Sequence, residues 1–150
     1  MFSEGIILFF NPFYFKNGDK HKAKYFIVIK AIDDKVILAS LPSSQDYVPA
    51  FVDVNSLNEC TCIELPEANF NCYLFPANKP ITTNRWAFPK NTFLYGHQLD
   101  NYEINTLVDI YPVEGIDYQV VGILQQDILE ELINCFKQSA SVKRKFRKLL

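Results

Sequence analysis

The chain predicts a mainly β domain, a small and strongly bent β-barrel with one C-terminal α-helix, and three observations carry that expectation. Short β-prone runs recur along most of its length, Pro, Asn and Asp interrupt them, and only one segment, near the end, has helical periodicity.

In chain order, Gly5–Phe10 is a continuous apolar run stopped by Asn11-Pro12, as expected of a buried strand. Phe15–Lys22 is polar, contains Gly18 and reads as a loop. Tyr25–Ala31 and Val36–Leu41 are strands flanking the hairpin connection Ile32–Lys35, and Phe51–Val54 reads as a further short strand. A middle section, residues 55–90, carries Pro66, Pro76, Pro80 and Pro89 around two strand-like pieces, Cys60–Leu65 and Asn71–Phe75. Phe93–Leu99 and Tyr118–Leu124 complete the sheet. In Gln125–Gln138, Ile128, Leu129, Leu132, Ile133 and Phe136 share one helical face. Asp127, Glu130 and Glu131 lie toward its N-terminal half, where negative charge suits the helix dipole.

A length of 150 residues, 49% of them hydrophobic, suits one domain with a sizeable core. The net charge of −2 excludes steering to nucleic acid by overall charge and leaves a local basic groove open. No apolar run reaches the roughly 18 residues a membrane helix needs, and Met1–Phe15 has neither a basic leader region nor a small-residue cleavage site. Four cysteines in that context are expected to be reduced, in a cytoplasmic protein. Cys60 and Cys62 alternate onto one strand face and Cys72 lies on the next, so with His97 they are candidate zinc ligands. C-x-C is a weak zinc signal, and the expectation is no metal and no cofactor. Cys135 falls near the apolar helix face and reads as core.

Three segments carry a family resemblance: LPSSQDYVPAFVDV from Leu41, NTFLYGHQLD from Asn91 and VVGILQQDILEELI from Val120. Their order resembles the framework of the PemK/MazF (Kid-like) toxins, small SH3-like barrels of the MazF/CcdB type that cut RNA without a metal. Gly5 and its apolar run match the opening strand, Ser43-Ser44 the hydroxyl loop, Pro49 to Val54 the strand after it, and Val121-Gly122-Ile123-Leu124 the helix lead-in. Lys24-Tyr25 stands where the family has Arg-Pro. Tyr95 and His97, beside Gln98, stand where the Kid branch has Arg and Asp. Residues 55–90 are longer than the family's corresponding section and read as an inserted or elaborated region.

The resemblance implies a metal-independent, sequence-selective endoribonuclease, the toxin of a bacterial toxin–antitoxin pair or related defence system. It further implies a homodimer, silenced by a cognate protein antitoxin that fills the RNA groove. In such cleavage the ribose 2′-hydroxyl attacks the adjacent phosphorus, so a base, an acid and donors to the phosphoryl oxygens are needed. His97 and His21 are the candidate proton carriers, and Lys24 and Ser43 the candidate phosphate ligands. Ser44, Tyr95, Gln98 and Trp86 are candidate RNA contacts, joined by Lys143 and Arg144 of a basic tail with five cations and no acid. The plain alternatives are turn chemistry for Ser43-Ser44, a solvated helix end for the tail, and core packing for Trp86. Two other functions stay open: a non-catalytic barrel of this type that binds protein or RNA, and a CcdB-like topoisomerase poison.

Overall fold

The structure, a computed structural model, describes residues 2–150. Among them eight strands form two antiparallel sheets accompanied by three α-helices. The strands are β1 (Ile6–Phe13), β2 (Lys22–Ala31), β3 (Val36–Ser40), β4 (Thr61–Leu65), β5 (Phe70–Phe75), β6 (Thr92–Tyr95), β7 (Asp100–Glu103) and β8 (Tyr118–Ile123). The helices are α1 (Ile104–Ile110), α2 (Gln126–Lys137) and α3 (Arg144–Arg147). The larger sheet runs β7-β3-β2-β1-β8 and the smaller β4-β5-β6. The chain is therefore mainly β, and the sheets do not close into one continuous ladder. Two isolated antiparallel bridges join their surroundings: Ser43, after β3, pairs with Phe93 of β6, and Thr82, in the β5–β6 connection, pairs with Leu124 just after β8.

The apolar pattern follows from which faces are covered. Ile7, Ile27 and Leu38 of the larger sheet meet Tyr73, Phe75 and Leu94 of the smaller one, together with Leu132 and Phe136 of α2. Leu8, Phe10, Phe26 and Val28 point the other way, against Leu107, Tyr111 and Tyr118. Both faces of β1 and β2 are thus buried, which explains why Gly5–Phe10 shows no polar alternation. The far face of the smaller sheet, with Leu74, Phe93 and Tyr95, is covered by Val48, Val52 and Val54 of the connection after β3. Residues 55–90 supply β4 and β5, two of the smaller sheet's three strands, so this section is integral to the core.

Several expectations need correction. The single helix becomes three: α1 buries only Leu107 and α3 is one turn, so neither carries a readable period. The expected helix over Gln125–Gln138 is present as α2. Phe51–Val54 is not a strand. The Val52 N–H bonds the Pro49 carbonyl at 3.0 Å in a turn, leaving Phe51 77% exposed. β1 continues past Asn11-Pro12, because a register shift between Phe10 and Phe13 takes up the proline.

The strand expected over Phe93–Leu99 ends at Tyr95, and Gly96–Gln98 forms a 3-10 turn carrying His97. A Cβ on Gly96 would collide with Asn71 and sit 2.8 Å from Val142, so packing requires glycine at the start of that turn. The cysteines are not all free: Cys62 of β4 and Cys135 of α2 form a disulfide, leaving Cys60 and Cys72 as thiols. That bond removes Cys62 from any zinc set. Cys135 is buried, as its place on the apolar face led one to expect. No helix among the described residues is long and apolar enough to cross a membrane.

Candidate functional site

A depression of about 740 Å³ lies where three distant segments converge. Antiparallel pairing of β1 with β2 sets Phe10 opposite Lys24 and Phe13 opposite Lys22, placing the basic start of β2 at the end of the sheet. The loop before it contributes Lys20 and His21. Beyond β3 the chain crosses to the smaller sheet: Ser43 N–H donates to the Phe93 carbonyl at 2.9 Å, and Phe93 N–H donates back at 2.8 Å. This bridge holds Ser43 against the same depression, and the 3-10 turn after β6 adds Gln98. Gln45 and Tyr47 complete the wall.

The cleft is locally basic. Lys20, Lys22 and Lys24 line it against the single acid Asp19, on a chain whose net charge is −2. The Lys24 ammonium donates to the Pro42 carbonyl at 2.9 Å. Burial first, and the nearby Lys22 charge second, hold it below the usual lysine range. Ser43 Oγ accepts from the Gln45 N–H at 3.0 Å, a local turn bond that leaves its own hydrogen available to donate. Lys16 lies apart, 3.3 Å from the Asp100 carboxylate and with its ammonium over the Tyr102 ring.

Four of the expected residues, His21, Lys24, Ser43 and Gln98, are therefore brought together. Ser44 lies in an adjoining depression of about 230 Å³, which Lys24 also lines. His97 is exposed on its turn, 6.0 Å ring to ring from Tyr95, and is not among the cleft-lining residues. Tyr95 itself is 1% exposed, so it presents neither face nor hydroxyl to a ligand. Its hydroxyl accepts from Tyr47 N–H and donates to the Gln45 carbonyl. Burial pushes that hydroxyl up to about 12, keeping its proton at neutral pH.

Trp86 is half-buried, with ring centroids 4.7 Å from Phe88 and 5.3 Å from Tyr25, and packs as part of the core. Lys143 and Arg144 begin the α3 region, where Phe146 is buried, and neither lines the cleft. The sequence reading passed over Lys20, Lys22 and Tyr47. The spacing of Lys20, Lys22 and Lys24 at every second position was the available signal, since alternate residues of an extended chain share a face.

Comparison with known proteins gives no matching family model, no similar curated protein and no similar solved structure.

Proposed function

We propose that the chain is a metal-independent endoribonuclease of toxin type, built on a divergent PemK/MazF-like framework and acting in the cleft between β2, the Ser43 loop and the 3-10 turn. The carrying observation is the local positive charge of that cleft, gathered around His21, Ser43 and Gln98 on an acidic chain. A polyanion is the ligand such a site attracts, and the attraction is local and dependent on salt. Lys22 and Lys24 are the phosphate ligands in this reading, Ser43 a hydrogen-bond donor to the same oxygens, and His21 the proton carrier nearest them. His97, exposed beside the cleft, is the second proton carrier. The Ser43–Phe93 bridge from the segment after β3 to β6 supports a bent, barrel-like arrangement of the two sheets in this reading. Homodimerisation and an antitoxin whose extended segment fills the cleft belong to the same reading.

A specific observation favours one rival, a barrel of this type that binds RNA without cutting it. Tyr95 is buried where the Kid branch has its cation, and the Lys24 ammonium already serves the Pro42 carbonyl. Incubating the purified protein with a long RNA in EDTA separates the two. Cleavage leaving cyclic phosphate ends supports the nuclease, and retention of intact RNA moves the function to binding alone. Cleavage that EDTA abolishes and magnesium or zinc restores would overturn the metal-free mechanism.

A further inference from the structure

Tyr47 lines the basic cleft and is 66% exposed, so its ring is open to a ligand there. It is also held in place. Its N–H donates to the buried Tyr95 hydroxyl at 2.8 Å, and that hydroxyl donates to the Gln45 carbonyl. Val48 N–H donates to Asp46 Oδ1 at 2.9 Å and Gln45 N–H to Ser43 Oγ at 3.0 Å, so the loop from Ser43 to Val48 is organised by its own side chains. Tyr95 is in turn fixed by stacking on Phe93, whose backbone bridges Ser43. The outcome is a solvent-facing ring on a pre-organised loop, sharing one cleft with Lys20, Lys22 and Lys24.

We propose that Tyr47 is a stacking platform for an unpaired base, with that base on the Tyr47 ring and the adjacent phosphates on Lys22 and Lys24. This rests on the RNA reading of the cleft and assigns a base-holding residue to it. A duplex keeps its base faces inside the stack, whereas unpaired nucleotides offer them to aromatic side chains. An aromatic ring beside cations meets the two requirements of single-strand binding, a π-face for the base and positive charge for the backbone. Pre-organisation by the Tyr95 hydroxyl means that little loop ordering is needed on binding.

The test uses the whole chain and a short single-stranded RNA carrying one 2-aminopurine, compared with the same RNA annealed to its complement. Tyr47→Ala should weaken single-strand binding by roughly 5- to 100-fold, the range of one lost base stack. It should also abolish the 2-aminopurine quenching seen with the parent. Tyr47→Phe should retain both, because the ring and not the hydroxyl carries the contact. Stacking releases no counterions, so the slope of log affinity against log salt should be the same in Tyr47→Ala as in the parent, whereas Lys22→Ala should lower it by roughly 0.7. Parental affinity and quenching in Tyr47→Ala, or equal affinity of the parent for the duplex, would overturn the proposal while leaving an RNA-binding cleft. A parent that binds neither RNA would remove the cleft reading and the stacking proposal with it.

Discussion

Lys24 Nζ donates to the carbonyl oxygen of Pro42 at 2.9 Å, tying the start of β2 to the residue before Ser43. One ammonium thus supports the loop that carries the cleft's hydroxyl and lies within reach of any phosphate bound there. A compact ammonium has three donors, so serving Pro42 leaves two for an anion. An arginine fork would match a phosphate more fully.

If Lys24 holds a phosphate, the shift on it should make that binding sensitive to alkali. Burial and the Lys22 charge lower its value, so it loses its proton at a lower pH than an unperturbed lysine. Between the two values the unfolded chain binds more protons than the folded one, so folding stability rises with pH through that window. Affinity for a phosphate backbone moves the opposite way and falls there. A fully 2′-deoxy oligonucleotide, stable to alkali, should bind progressively more weakly to the parent below the ordinary lysine value. Lys24→Arg, which does not titrate in that range, should hold its affinity. An identical alkaline loss in both proteins would assign the effect to other lysines.

The Cys62–Cys135 bond joins the edge strand of the smaller sheet to α2 across 73 residues of chain. By the chain-entropy model, a loop of that length stabilises the fold by about 4 kcal/mol. Thiol titration of the denatured, unreduced protein should therefore find two free groups, Cys60 and Cys72. Urea unfolding with reductant present should give a correspondingly lower stability. Four titratable thiols without reduction would show that the bond does not form.

How much of this was legible depended on whether the signal was local. α2 was readable because Ile128, Leu129, Leu132 and Phe136 keep one face buried over a full twelve residues. α1 was not, since Val108 and Ile110 are exposed apolar residues that blur a seven-residue helix. The Ser43 loop, Lys24 and Gln98 were found through motif order, and they do share a cleft. Tyr95 was misread because nothing local distinguishes a tyrosine facing a groove from one whose hydroxyl clamps a loop 48 residues away. The Cys62–Cys135 pairing is equally non-local: spacing along the chain suggested Cys60 and Cys62 as partners in chemistry, whereas pairing of β4 with α2 decided the bond.

The location of the basic tail gives a sharp contrast in salt dependence. Lys143 and Lys145 lie against the Phe146 ring, Arg147 donates to the Val142 carbonyl at 3.1 Å, and none of these residues lines the cleft. Replacing Lys143, Arg144, Lys145, Arg147 and Lys148 by Gln should leave the salt slope of RNA binding unchanged. Replacing Lys20, Lys22 and Lys24 should reduce it by about two, at roughly 0.7 per phosphate on a single strand. A slope that falls with the tail and not with the three cleft lysines would move the RNA path to the C-terminal helix.

The two histidines are separable by position, and their substitution tests the chemistry most directly. His21 lines the cleft beside Lys20 and Lys22, with its ring 5.4 Å from Tyr14, while His97 stands on the 3-10 turn against Tyr95. Both are exposed, so replacement by Gln removes a proton carrier without opening a cavity, and a thermal melt should be unchanged for each. If one takes the 2′-hydroxyl proton and the other gives a proton to the leaving 5′-oxygen, each single variant should lose about 10²-fold or more in cleavage rate, the scale of one acid–base group. His21→Gln should cost the more, because His21 shares the cleft with the phosphate ligands. Ser43→Ala should cost less than either, since Ser43 is one of several donors to the same oxygens. The double His21→Gln, His97→Gln variant should fall by less than the product of the single losses, as groups acting on one transition state are not additive. A folded His21→Gln protein that cuts RNA at the parental rate would remove His21 from the reaction. Parental rates in both single variants would leave cleavage without a histidine and end the proton-transfer assignment made here.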